Sequence, residues 1–133
     1  MAWITETIKE LLTEHGLWEV SLEGSCITVT NDEGIDAFVY AGERQLIVEV
    51  PLFPEAQVID VNALNEKILQ THYYAPLSSI YKKAIGEQKY YVAFGALSLD
   101  SKAEVVLEEV NTLFENVDEF LELYADDLNR EAA

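Results

Sequence analysis

Ile4, Ile8, Leu11 and Leu12 recur at i, i+4, i+7 and i+8, the spacing that lines one stripe of a helix, and Gly16 stands where a left-handed residue would end it. This predicts a first helix over residues 4–15. The period then changes to two: Leu46, Val48, Val50 and Leu52 alternate with Gln45, Ile47, Glu49 and Pro51, and Ile27 and Val29 alternate with Thr28 and Thr30. Alternation of this kind is the signature of strands with one face buried. Gly24-Ser25, Asn31-Asp32-Glu33-Gly34 and Ala41-Gly42-Glu43 supply turn chemistry between the runs. The prediction is an antiparallel meander of three or four strands near 18–22, 26–30, 35–40 and 44–51.

Pro51 and Pro54 are expected to end the meander, because proline cannot donate to a ladder. Asp60 is an N-cap candidate for a second helix that carries Val61, Leu64, Ile68 and Leu69 inward, closed by Pro76. Residues 77–97 form a second hairpin about Gly86-Glu87, with the strand-prone return run Tyr90-Tyr91-Val92-Ala93-Phe94. Ser101 and Glu104 make a capping box for a third helix, whose stripe Val106, Val110, Leu113, Val117, Phe120 and Tyr124 extends it over 102–128. A helix that long must bend, near Asn116, or project to meet a partner. The fold class is α+β, in the order helix, antiparallel meander, helix, β-hairpin, long C-terminal helix, within one domain of 1–133.

Charge narrows the function classes. Eight basic residues stand against 25 acids, a net charge of −17, while 50% of the 133 residues are hydrophobic. Such a chain buries a core without staples, and is repelled by nucleic-acid backbones and anionic membrane surfaces. With Cys26 alone, no disulfide within the chain is possible; there is no apolar run long enough to insert in a membrane and no basic-then-apolar leader, so a cytoplasmic setting is expected. Nine acids (Glu104, Glu108, Glu109, Glu115, Asp118, Glu119, Glu122, Asp126 and Asp127) lie along the third helix with Lys102 the only base. They form either a solvated face or a docking surface for a basic partner.

Candidate chemistry is sparse. No nucleophile elbow, P-loop, dinucleotide fingerprint or zincin motif occurs, and no catalytic residue, metal or cofactor is expected. Asn31-Asp32-Glu33-Gly34 with Asp36 lacks the ligand spacing and terminal glutamate of a calcium loop, so a turn explains it better. Cys26 has no neighbouring cation in sequence and reads as a packing residue. His15 complements the dipole at the end of the first helix. His72 could serve as a general base with nearby tyrosines or carboxylates, but capping or packing the second helix is its expected duty.

The aromatic residues are distributed more pointedly. Tyr73, Tyr74, Tyr81, Tyr90 and Tyr91 fall within 19 positions, and adjacent Tyr90 and Tyr91 must point to opposite sheet faces. Phe38, Tyr40 and Ile47 lie on the side of the first strands opposite the expected core. A sheet apolar on both faces must cover both, with its own helices or with a partner, and tyrosine suits a contact surface because its ring buries area while its hydroxyl stays wet. These eight residues are the candidate partner-binding set.

The order of elements on a small acidic chain resembles the type III secretion chaperone fold, although a fourth meander strand would depart from the chaperones' three. At residue level, Leu64-Asn65, Thr71-His72, Pro76-Leu77-Ser78, Tyr90 to Ser98 and Asn116-Val117 resemble the uncharacterised bacterial YjfI-like family, most specifically in the run Phe94-Gly95-Ala96-Leu97-Ser98. The chaperone resemblance implies a homodimer, formed across the middle helix and the 77–97 hairpin, that holds an extended segment of a client protein. The family resemblance implies a bacterial cytoplasmic setting, no catalytic residues to carry over, and a partner of the phage-shock membrane-stress type. The reading is a non-enzymatic protein-binding module or chaperone-like adaptor. A small enzyme built on His72 would instead need a deep pocket, and a structural subunit would leave the stripe of its long helix exposed.

Overall fold

A computed structural model describes residues 2–129 of the chain; the expected domain of 1–133 also takes in 1 and 130–133, which lie outside the described residues. The chain runs α1 (Thr5–His15), β1 (Glu19–Glu23), β2 (Cys26–Thr30), β3 (Asp36–Ala41), β4 (Gln45–Pro54), α2 (Val61–Thr71), β5 (Ser79–Ile85), β6 (Gln88–Ser98) and α3 (Ala103–Leu123). The α+β class and the order of elements are as expected. The meander has four strands. The second hairpin does not form a separate layer: β6 pairs antiparallel with β4, giving one six-stranded sheet in the order β1-β2-β3-β4-β6-β5.

The alternation fixes which side each residue takes. Ile27, Val29, Ala37, Val39, Leu46, Val48 and Val50 point to one face and join a single apolar cluster with Ile8 and Leu12 of α1, Leu64 and Ile68 of α2, and Val106, Val110, Leu113, Val117, Phe120 and Tyr124 of the α3 stripe and the residue after it. Among the described residues all three helices pack on this face. Gly16 caps α1 at φ 80°, and Asp60 caps α2 by accepting a hydrogen bond from the Ala63 amide at 3.1 Å.

Four expectations are corrected. Leu69 does not point inward but is 72% exposed, because the buried stripe of α2 is only Leu64 and Ile68. Pro51 does not end β4: it sits in the strand opposite Val92, and the ladder slips one position between Pro51 and Phe53, where a bulge absorbs its missing donor. Ser101 does not cap α3. The N-cap is Lys102, without a side-chain cap, while the Ser101 carbonyl accepts the Trp3 indole N–H at 2.6 Å.

Finally, α3 does not extend to 128. Asn116 is buried and donates through Nδ2 to the Pro76 carbonyl and the Ser78 hydroxyl, at 2.8 and 2.9 Å, tying mid-helix to the segment before β5. The helix stops after 21 residues, where the Tyr124 ring stacks on Phe120 and its hydroxyl meets that of Thr71 at 2.7 Å. A 3-10 turn (Ala125–Asp127) then leads the chain back alongside 57–59, with Lys67 and Asp127 paired at 2.7 Å.

Of the nine acids in this region, Glu109 alone turns inward. It is 5% exposed and lies over Gly95 of β6, where an added Cβ would collide with its carboxyl group. This contact gives a packing reason for glycine in the Phe94–Ser98 run. Burial, and secondarily the charge of Glu108, raise the Glu109 pKa above the ordinary carboxylate range. A carboxyl group raised in the folded state favours folding most below its unfolded pKa, and that contribution is lost as pH rises through the folded value.

Glu109→Gln is therefore expected to raise the melting temperature at pH 7 by about 3–5 °C, for roughly 1 kcal/mol of relieved charge burial. Calorimetry across pH checks the sign: the gap between variant and wild type should shrink as pH falls toward about 4.3, the ordinary glutamate range. A gap that widens on acidification would show that the carboxylate is stabilised in place. Independently, Gly95→Ala should destabilise the chain by about 1–3 kcal/mol in urea unfolding. Placed on a Glu109→Ala background, the same substitution should cost much less, since the colliding group is gone; equal costs on the two backgrounds would break the contact assignment.

Candidate protein-binding face

The other face of the sheet carries the alternate residues. Registers across the strands bring Tyr40 beside Ile47, Phe38 and Phe94 to either side of Glu49, and Tyr81 beside Val92. Phe38, Tyr40, Ile47, Tyr81 and Phe94 are half-buried, and Val92 is fully buried yet stands outside the cluster under the helices. Neighbouring side chains of the same face shield one another, but among the described residues no helix lies over them.

Glu49 is the centre of this surface, with 5% exposure. Its Oε2 accepts the Tyr81 hydroxyl at 2.6 Å and its Oε1 pairs with the Lys83 ammonium at 2.5 Å. Lys83 also stands over the Tyr40 ring, 6.0 Å from its centroid, and Tyr81 meets Phe94 edge-on at 4.9 Å. Tyr40, Ile47, Glu49, Tyr81 and Phe94 line a recess of about 210 Å³. Burial first, then the hydrogen bond to Glu49, hold the Tyr81 hydroxyl far above its usual pKa, and burial, then the Glu49 charge, raise that of Tyr40. The bond to Glu49 raises Lys83. Burial and the Glu49 charge raise the Cys26 thiol, so it stays protonated at neutral pH. Donors fixed in their protonated forms suit this surface to contact and charge pairing.

The eight candidate residues therefore separate. Phe38, Tyr40, Ile47 and Tyr81 meet on the helix-free face. Tyr90 follows at its far edge, half-buried opposite Pro54. Tyr91 is corrected: it is 2% exposed on the helix side, where its hydroxyl donates to Asn65 Oδ1 at 2.6 Å and its ring packs 5.3 Å from Phe53. Tyr73 and Tyr74 are not on the sheet at all. They occupy a 3-10 turn (His72–Tyr74) at the corner between α2 and β5, 91% and 68% exposed, with exposed Leu69 and Leu77 near them in the chain.

Sequence reasoning left out Glu49, Lys83, Val92 and Phe94. A lone carboxylate in the alternating run of β4 was a visible signal for Glu49. Phe94 could be placed only once β6 was known to pair with β4.

His72 takes the duty expected of it. Its Nε2 accepts the Ile80 amide at 3.0 Å, joining the end of α2 to β5, so a neutral imidazole carries its proton on Nδ1. In the Asn31–Gly34 segment the Asn31 side chain accepts from the Glu33 and Ile35 amides at 3.0 and 2.9 Å, the bonding of a turn. Among the described residues no group of three or more His, Cys, Asp or Glu is arranged to hold a metal ion, and no helix is long and apolar enough to cross a membrane.

Known proteins resemble this chain in sequence or in fold. The chain is similar to the uncharacterised protein YjfI of Escherichia coli strain K12, 28% identical over 118 residues that cover 88% of this chain and 89% of the relative. Among solved structures it is similar to YbjN from E. coli, with a TM-score of 0.67 at 15% identity over 92% of this chain and 93% of that one. It is also similar to chains in the HopA1-SchA chaperone-effector complex (TM-score 0.63, 12% identity, 86% and 89% covered) and in the ExsC-ExsE complex (TM-score 0.64, 13% identity, 90% and 94% covered). At such identities the likeness is one of fold, the chaperone-like α+β fold. The sequence pattern of one family spans residues 2–128, and on that match the chain belongs to the bacterial family described as "Uncharacterized protein conserved in bacteria (DUF2170)".

Proposed function

We propose that the chain is a non-enzymatic, chaperone-like adaptor that captures a segment of another bacterial protein on the helix-free face of its sheet. One observation carries the reading: an aromatic and aliphatic frame of Phe38, Tyr40, Ile47, Tyr81 and Phe94 surrounds a buried, ordered carboxylate on a face no element of the chain covers among the described residues. Apolar surface of this kind, with few fixed polar groups, is what a protein contact uses. The fold shared with a chain of a chaperone-effector complex supports it. A membrane-stress protein of the phage-shock type is the client class suggested by the family resemblance. The alternatives are less well supported. His72 spends its acceptor nitrogen on a backbone amide, and the α3 stripe is buried inside the chain, so that stripe is not exposed as the structural-subunit reading requires.

We further propose a homodimer formed through the α2–β5 corner. Leu69, Tyr73, Tyr74 and Leu77 are all more than half exposed there, and Leu77 is held at φ 73°, a left-handed conformation that is strained for leucine. An apolar side chain kept in that conformation gains nothing in an isolated subunit, whereas a second copy would bury it.

Affinity capture from a bacterial lysate tests the adaptor. A specific set of proteins should co-purify with the wild type and be lost with Ile47→Glu, which places a charge in the frame, while Leu22→Glu on the helix side of edge strand β1 should retain it. The same set retained by both variants would remove the sheet face from the function. Light scattering at micromolar concentration tests the dimer. Twice the 15.0 kDa chain mass is expected, falling to one chain mass in Leu77→Asn, which removes the apolar side chain while asparagine tolerates the left-handed backbone, so the variant should remain folded by circular dichroism. A single-chain mass for the wild type throughout would refute it.

A further inference from the structure

The helix-free face is not uniformly apolar, and its charges have a direction. Strand alternation and registers place Glu19, Glu23, Asp36 and Glu49 on it, with Lys83 as the one base among its described strand positions. Four carboxylates against one ammonium leave this face acidic on a chain whose net charge is −17. A second copy of the same face would meet it with like charge, so its occupant is a different, basic chain.

We infer that this face recognises a lysine or arginine side chain carried by a segment of the partner protein, and that Glu49, framed by Tyr40, Tyr81 and Phe94, is the group that reads it. This rests on the adaptor reading above and specifies its partner's chemistry. The structure already contains the relevant contact in miniature: the Lys83 ammonium sits on Glu49 and over the Tyr40 ring, so aromatic faces and a carboxylate converge on a position that accepts a cation. A carboxylate offers about four lone-pair positions. Tyr81 and Lys83 use one oxygen each, and the Lys83 side chain is 38% exposed and held on a flexible stem. A partner cation can share the carboxylate or displace Lys83 from it, while its flanking apolar residues lie against Ile47 and Phe94. Among the residues of the recess, only Glu49 carries charge, so it sets the preference.

The test uses the full chain and three small probes of equal apolar length: n-butylammonium, n-butylguanidinium and n-butanol. Titration followed by the NMR shifts of Ile47, Tyr81 and Phe94 should show both cations binding in the millimolar range, at least threefold more tightly than butanol, with the difference shrinking as sodium chloride is added. Lys83→Met, which vacates the cation position, should tighten the cations about tenfold and leave butanol unchanged, and Glu49→Gln should erase the preference. Butanol binding as tightly as the cations would overturn the cation reading and leave the apolar adaptor face standing. No shift with any probe would overturn it as well, and the lysate capture would then decide the adaptor on its own. The wild-type comparison stands without a substitution, so a variant that fails to fold does not rescue the inference.

Discussion

The ladder between β4 and β6 is the interaction on which everything else in this molecule depends. It runs from Gln45 opposite Ser98 to Pro54 opposite Tyr90 and joins a four-stranded meander to a distant hairpin as one sheet. Without it β4 would be an edge strand with one side unpaired, and α3 would have no continuous surface to cover. With it, Leu46, Val48 and Val50 lie beside Leu97, Gly95 and Ala93 on the helix side, while Ile47 and Glu49 lie beside Ala96 and Phe94 on the other. One register thus decides both the core and the candidate binding face, because a slip of one residue would exchange the two sets.

The helical layer is held over that sheet at specific polar points as well as by apolar area. Asn116 fastens the middle of α3 to the segment before β5, the Tyr124 hydroxyl fastens its end to Thr71, and the Tyr91 hydroxyl reaches up from the sheet to Asn65 of α2. Each bond satisfies a polar group that burial would otherwise penalise, and each links elements distant in sequence. The same bonds define where α2 ends and β5 begins, with His72 adding the last link to Ile80. The exposed corner of Tyr73, Tyr74 and Leu77 is consequently a formed feature, presented by a turn with hydrogen bonds on both sides.

Much of this was legible in the sequence, and the failures have physical causes. Periodicity together with turn residues located the three α-helices and six strands among the described residues, since apolar spacing reports which face is buried whatever buries it. Capping was legible at Asp60, whose side chain bonds the Ala63 amide, but not at Ser101, because α3 begins at Ala103 and the N-cap position falls to Lys102. The end of α3 was misjudged because Tyr124 fits the helical stripe while its hydroxyl binds Thr71, a partner 53 residues away. For the candidate face, alternation correctly put Phe38, Tyr40 and Ile47 on one side. It could not assign Tyr91, because two adjacent tyrosines in a strand differ only in phase, and phase is set by the ladder with β4.

The two inward-turned carboxylates show how an acidic chain uses burial selectively. Most acids of α3 stay at the surface, where water and counter-ions screen them. Glu109 and Glu49 are equally buried, at 5% exposure, but in opposite circumstances. Glu109 rests on the Gly95 backbone, and burial raises its pKa, so its charge opposes folding. Glu49 accepts two donors, one of them charged, on the side of the sheet the helices leave free. A buried pair of this kind seldom stabilises a fold more than apolar residues of the same volume would. Its distinctive property is selectivity: an acid set among aromatic rings penalises an approaching anion and leaves an apolar group without a partner for the carboxylate, while a cation satisfies both features. The sheet supplies the apolar area of a contact surface, and the placement of Glu49 decides which chemistry that area favours.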